Sequence, residues 1–233
     1  MDRGQHFIQL YNQLSHYLRE HSNSDGNLPF YQLIRVASTT HSTVRRYLTD
    51  LREYGDLRNA IVHNQTYPQQ IIAEPTEETI THFTRIVENV TAPKHLIPTF
   101  QRNVHLFSTQ ALLVEAIDYM KFKDFSQVIV QSKEGLSLLS LESVGLWFAE
   151  QLKANMSIAK VSIADALVHE HSDNVVFMAR NALVDDAREA FSGTLSRTHP
   201  RLTAIIVTNA GKRAEQPLGI ITPWDLLQDI EPS

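Results

Sequence analysis

Along residues 1–92 the apolar positions recur at intervals of three and four, the period of a helix with one buried face. Phe7, Leu10, Tyr11, Leu14 and Leu18 predict a first helix, which the turn formers of HSNSDGN (21–27) end. Phe30, Leu33, Ile34 and Ala37 predict a short second helix. Val44, Tyr47, Leu48, Leu51 and Tyr54 predict a longer third, running towards His63, with the following loop ending at Pro68. EPTEET (74–79) predicts the start of a fourth, with Pro75 in its first turn and acidic side chains facing the positive end of the helix dipole. Its apolar positions are Ile80, Phe83, Ile86, Val87 and Val90. Helices with one apolar stripe each bury it against one another or a partner, so a bundle of the four-helix type is expected here.

After TAPKHLIP (91–98) the pattern changes to short β-branched runs between helices: SQVIV (126–130), NVVFMA (174–179) and TAIIVT (203–208). This half repeats itself. STQALLVEAIDYM aligns without a gap on ARNALVDDAREAF, placing Ala111 on Ala182; Val128–Val130 then matches Ile205–Val207, and LSLLSLES (136–143) matches LGIITPWD (218–225). Each copy reads strand, helix, strand, turn, strand, helix. A unit so small leaves one sheet face open, so the two copies are expected to pack as a pseudo-twofold pair. The expected fold is α+β: a helical domain over 1–92, a first repeat over 93–160 and a second over 161–233.

Composition narrows the function classes. Apolar residues make up 42% of the 233-residue chain and charged residues 20%, enough for a normal core. The net charge of −5 supplies no general basic field for nucleic acid. The absence of cysteine excludes disulfides, thiolate metal sites and cysteine nucleophiles. No apolar run approaches the roughly 20 residues that span a bilayer, and MDRGQHFIQL lacks a signal peptide's apolar segment. A cytoplasmic protein without a membrane partner is expected.

The end of the second repeat, PLGIITPWDLL (217–227), carries the most specific pattern. On residue chemistry alone, Thr222 is a good N-cap, Pro223 suits the first helical position and Asp225 the third, which is a complete account of a helix start. The same groups also suit a ligand: free N–H groups for phosphate, a threonine hydroxyl, and a carboxylate able to accept two hydrogen bonds from a ribose diol. Residues 94–231, with this closing strand and Thr-x-x-Asp helix start, resemble a tandem pair of cystathionine β-synthase type (CBS) domains. The resemblance implies an adenine nucleotide ligand (AMP, ADP, ATP or a cyclic dinucleotide), with Thr222 on phosphate and Asp225 on ribose. It also implies contacts to the base around Thr203, Ala204 and Ile206, through backbone groups and apolar packing. The first repeat departs from the pattern: Ser140 stands for Thr222, but Ser143 replaces Asp225, so one strong site per chain is expected.

LRNAIVHN (57–64) raises a second chemistry. RNAIVH resembles the Arg-x4-His signature of HEPN helical bundles, which include metal-independent ribonucleases. The resemblance implies Arg58 on phosphate, His63 as acid or base and a site composed at a dimer interface, with RNA as the partner. Asn59 and His63 share a helix face, whereas Arg58 lies about 140° from His63 on an ideal helix. The structural alternative pairs Arg58 with a carboxylate such as Glu53 or Asp56 and leaves His63 to cap the helix end. LIRVASTTHSTVRRYL (33–48) also resembles a helix-turn-helix, with Arg45 and Arg46 as DNA contacts. VHEHSDN (168–174) reads as an exposed connection whose His169 and His171 lack a third metal ligand. Trp147, Phe148 and Trp224 suit core or dimer packing. Together these readings favour a homodimeric, nucleotide-sensing regulator, with a nucleotide-controlled ribonuclease or a transcription regulator as alternatives.

Overall fold

The computed structural model describes residues 2–21, 28–63, 73–154, 160–171, 173–193 and 202–228. They divide into two compact units, Met1–Lys94 with Leu183–Asp186, and His95–Ala182 with Ala187–Ser233. No helix among the described residues is long and apolar enough to cross a membrane.

The first unit holds α1 (Arg3–His21), α2 (Phe30–Thr40), α3 (Ser42–Arg46), α4 (Leu48–His63) and α5 (Glu77–Thr91). The stripes read from the spacing meet in one core, in which Phe7, Leu14, Leu33, Ile34, Leu51 and Phe83 are fully enclosed. Phe7, Tyr54 and Phe83 meet as tilted rings, with centroids 4.9 Å apart for Phe7–Phe83 and 4.5 Å for Tyr54–Phe83. The third helix is not continuous as the spacing predicts. It breaks at Tyr47, whose φ/ψ of −96°/15° leaves the helical region and whose hydroxyl accepts from Asn89 Nδ2 of α5 at 3.0 Å. Apolar spacing resumes beyond the break, which is why periodicity alone runs straight through it. At α5 the cap is Thr76, one residue after Pro75; its side-chain oxygen accepts from Thr79 N–H at 3.1 Å. Residues 22–27 of the first loop, and the loop read after His63 as far as Pro68, lie outside the described residues.

The second unit opens with the short α6 (Leu96–Thr99) and then β1 (Leu106–Ser108), α7 (Leu113–Lys123), β2 (Gln127–Ser132), β3 (Gly135–Ser140) and α8 (Leu141–Ala154). After α9 (Ile163–Leu167) come β4 (Val175–Ala179), α10 (Val184–Ser192), β5 (Ala204–Thr208), β6 (Gly219–Ile221) and α11 (Pro223–Gln228). Each copy forms a three-stranded sheet with its second strand in the middle, parallel to the first and antiparallel to the third.

Strand register explains how the sheets meet. Leu106, Ile129 and Leu138 form one row across the first sheet, and Phe177, Ile206 and Ile220 the equivalent row across the second. These two rows share one apolar cluster, so the sheets pack face to face. Alternation sends Phe107, Val128, Val130 and Leu139 to the other side of the first sheet, where Leu113, Ala116 and Met120 of α7 and Trp147 of α8 cover them.

The lead-in segments cross over. The N–H groups of Leu96 and Ile97, ahead of the first sheet, donate to the carbonyls of Ala182 (2.8 Å) and Arg180 (3.1 Å) in the second repeat. The N–H groups of Ile163 and Ala164, ahead of the second sheet, donate to Ala111 (2.9 Å) and Thr109 (3.0 Å) in the first. Ile163 and Ala166 are fully buried in the first repeat's core.

Candidate functional site

At the start of α11 the TPWD segment closes on itself. Asp225 Oδ2 accepts from the Thr222 N–H at 2.7 Å and from its hydroxyl at 2.8 Å. Asp225 Oδ1 accepts from Arg102 Nη2 at 2.5 Å, a residue 123 positions earlier, between α6 and β1. Burial works against ionisation of Asp225. The Thr222 N–H and hydroxyl and the Arg102 guanidinium outweigh it and hold the carboxyl below the ordinary aspartate range. Arg102 is itself anchored by its main chain, its N–H donating to Leu218 O at 3.0 Å. Gly219, beside Leu218, lies against the Phe100 carbonyl, where a Cβ has no room.

The base-contact candidates fare differently. Register pairs Ile205 with Ile221, so Ala204 and Thr203 stand beside Thr222 and the start of α11. Thr203 is half-buried; its N–H and hydroxyl both donate to Asn174 O, at 2.8 and 3.1 Å. Ala204 and Ile206 are fully buried in the cluster between the sheets. Both side chains already pack on protein. Ile206 also sits in the central strand, where the ladders on both sides take its backbone groups. Only Thr203 and the Ala204 main chain remain at the edge of the site.

The first repeat supplies what sequence reasoning missed. Ser140 stands where Thr222 stands, and Ser143, where Asp225 stands, is buried and lacks the carboxylate. A carboxylate is nevertheless present. Glu170 Oε2 accepts from the Ser140 N–H at 2.8 Å and from its hydroxyl at 3.0 Å, the same two contacts that Asp225 makes with Thr222. The other oxygen, Oε1, accepts from Asn174 Nδ2. Ser143 Oγ lies 3.1 Å from Ser140 Oγ and 3.3 Å from His169 O. VHEHSDN is thus no simple exposed connection: Glu170 is half-buried and Asn174 is 4% exposed. His169 pairs with Glu150 at 3.5 Å, and no group of three or more metal-ligating side chains occurs among the described residues.

In the helical unit, Arg58 makes no ion pair among the described residues. Its guanidinium carbon stands 5.6 Å from the centre of the Tyr11 ring, Nη1 donates to Asn59 Oδ1 at 3.4 Å, and Nε is buried without a partner. The carboxylate expected for it is engaged elsewhere: Asp56 Oδ1 accepts from Tyr31 OH at 2.8 Å, and Asn59 Nδ2 donates to the same hydroxyl at 3.4 Å. Burial first, and then Asp56, push the Tyr31 hydroxyl up to about 12. Arg58 and Asn59 therefore belong to one polar network with Tyr11 and Tyr31. The backbone of His63 closes α4, and its side chain lies outside the described residues.

The two arginines of the DNA reading both bond within the protein. Arg45 donates to the carbonyls of Ser38 (2.7 Å) and Thr39 (3.1 Å) at the end of α2. Arg46 pairs with the buried Asp185 at 2.9 Å. Trp147 is buried, whereas Phe148 is 41% and Trp224 74% exposed.

No protein-family model matches the chain, and no curated protein matches it. Solved structures do. A CBS domain-containing protein from Kribbella flavida is 15% identical, with a TM-score of 0.44 over 59% of this chain and 98% of its own. Hypoxic Response Protein I, crystallised with two coordinated zinc ions, is 12% identical, with a TM-score of 0.43 over 59% of this chain and all of its own (100%). CBSX2, crystallised in complex with AMP, is 15% identical, with a TM-score of 0.42 over 58% of this chain and 95% of its own.

Proposed function

We propose that the chain is a regulatory protein whose paired repeats form a tandem CBS module, binding one adenine nucleotide at the start of α11 and passing its occupancy to the helical unit. The observation that carries this reading is the carboxylate of Asp225, kept ionised and held by Thr222 beside the first residue of β5. An ionised carboxylate oriented by fixed donors is suited to accept from a vicinal diol. Thr222 has a hydroxyl that can turn from Asp225 towards a phosphate, and Thr203 with the main chain of Ala204 borders the place for a base. The PLGIITPWDLL segment, which resembles the family's closing motif, supports the same assignment.

The first repeat is read as closed. Its Ser140 N–H and hydroxyl are taken by Glu170, and Glu170 by Asn174. Calorimetry with AMP, ADP, ATP and a cyclic dinucleotide tests both statements. One site per chain is expected, with binding weakened about tenfold or more in Asp225→Ala. Two equal sites, or affinity indifferent to Asp225, would refute the reading.

A further inference from the structure

Both oxygens of Asp225 already accept hydrogen bonds. One oxygen serves Thr222, and the other serves Arg102 at 2.5 Å. A ribose diol gripped by both oxygens competes with Arg102 at Oδ1. Arg102 is the partner able to yield. Its side chain is 47% exposed and that of Asp225 13%, so the arginine lies on the solvent side of the pair. Its N–H bond to Leu218 O fixes its main chain, so release moves only the long side chain.

What happens to the freed guanidinium then sets the preference of the site. A neutral nucleoside takes the carboxylate and leaves the cation without its counter-charge. A phosphorylated nucleotide brings a replacement, and guanidinium binds phosphate in the same two-pronged way as carboxylate. The contrast with the first repeat sharpens the point. There the carboxylate's second oxygen is held by the neutral amide of Asn174, which offers a phosphate no charge.

We propose that Arg102 is the specificity-determining residue of the nucleotide site: it latches Asp225 when the site is empty and transfers to the ligand's phosphate when it is filled, so that the site selects phosphorylated adenine nucleotides over adenosine. This inference rests on the assignment of Asp225 as a ribose acceptor. It requires that the latch oppose adenosine and favour AMP or ATP through the same side chain.

The test is calorimetry on the full chain with adenosine, AMP and ATP, in wild type, Arg102→Ala and Arg102→Lys. Wild type is expected to bind AMP about tenfold or more tightly than adenosine. In Arg102→Ala the ratio should fall towards one, with adenosine binding improved in absolute terms. Arg102→Lys, which keeps a charge without the planar fork, should give an intermediate ratio and serves if the alanine variant folds poorly. A purely structural role for Arg102 would weaken all three ligands alike and leave the ratio unchanged, which would overturn the inference. Equal binding of AMP and adenosine by wild type, with both weakened in Asp225→Ala, would overturn it while leaving the nucleotide reading standing. Failure of every adenine compound to bind wild type would overturn both.

Discussion

Glu170→Ala is the substitution that most directly tests the polar cluster of the first repeat. The carboxylate accepts from the Ser140 N–H, the Ser140 hydroxyl and Asn174 Nδ2. Truncation strands the Ser140 amide and one amide hydrogen of Asn174, a residue only 4% exposed. The Ser140 hydroxyl can turn to Ser143 Oγ, 3.1 Å away, and is not counted. Each stranded buried donor costs about 1–3 kcal/mol. Because Ser140 is half-buried and water can reach it, the expected loss is about 2–4 kcal/mol rather than the arithmetic maximum. In a chain of this size that corresponds to a fall in Tm of roughly 5–15 °C. Glu170→Gln should recover about half of the loss, because its oxygen can accept from Ser140 while its NH2 then confronts the NH2 of Asn174. Glu150→Ala is the control: its bond to His169 spans 3.5 Å from a side chain 64% exposed, and its loss should cost less than about 0.5 kcal/mol. Thermal and urea denaturation of the four proteins decide the matter. Glu170→Ala within about 0.5 kcal/mol of wild type would show that the carboxylate is not holding the start of α8.

Gly135→Ala should destabilise by about 2 kcal/mol or more in urea melts, because φ is +111° there and an added Cβ would stand 2.7 Å from the Arg213 carbonyl oxygen; a neutral result would mean that this hairpin relaxes freely. Leu141, Phe148 and Leu152 stand on one face of α8, 46%, 41% and 64% exposed, and a symmetric homodimer through that stripe is expected. Sedimentation should show a dimer that Phe148→Glu converts to monomer, and a monomeric wild type at micromolar concentration would refute it. Arg58→Ala should cost about 1–2 kcal/mol through lost contact with Tyr11, and no RNA cleavage is expected in EDTA. Cleavage abolished by His63→Ala would instead make the helical unit a ribonuclease.

Much of the architecture is written in local spacing. The apolar stripes of α1, α2 and α5 lie where the three-four period puts them, because each helix needs only one buried face. The repeat equates Ile129 with Ile206 and Leu138 with Ile220, and the same residues form the matched rows between the sheets. The Thr222–Asp225 contact was legible because it spans three residues. Arg102 and Glu170 were not. Each is a polar residue in a connecting segment, brought to its carboxylate or serine partner across 123 and 30 positions. Such pairings depend on tertiary path, and no periodicity marks them. The break at Tyr47 was hidden for a related reason: a hydroxyl bond to Asn89, 42 residues away, accompanies a turn that the apolar pattern spans without interruption.

The crossed lead-ins carry a consequence for biosynthesis. Leu96 and Ile97 find their acceptors at Ala182 and Arg180, so the strap that precedes the first sheet has nowhere to dock until the second repeat has left the ribosome. The face of the first sheet bearing Ile129 and Leu138 likewise stays uncovered until Ala204 and Ile206 follow. At roughly 5–20 residues per second, the first repeat spends several seconds as a nascent chain with an open apolar surface. Cutting the gene between the repeats therefore yields no autonomous half: each product keeps its partner's strap and lacks its own. Such fragments are expected to be captured by chaperones or, if expressed together, to complement one another non-covalently into the intact pair.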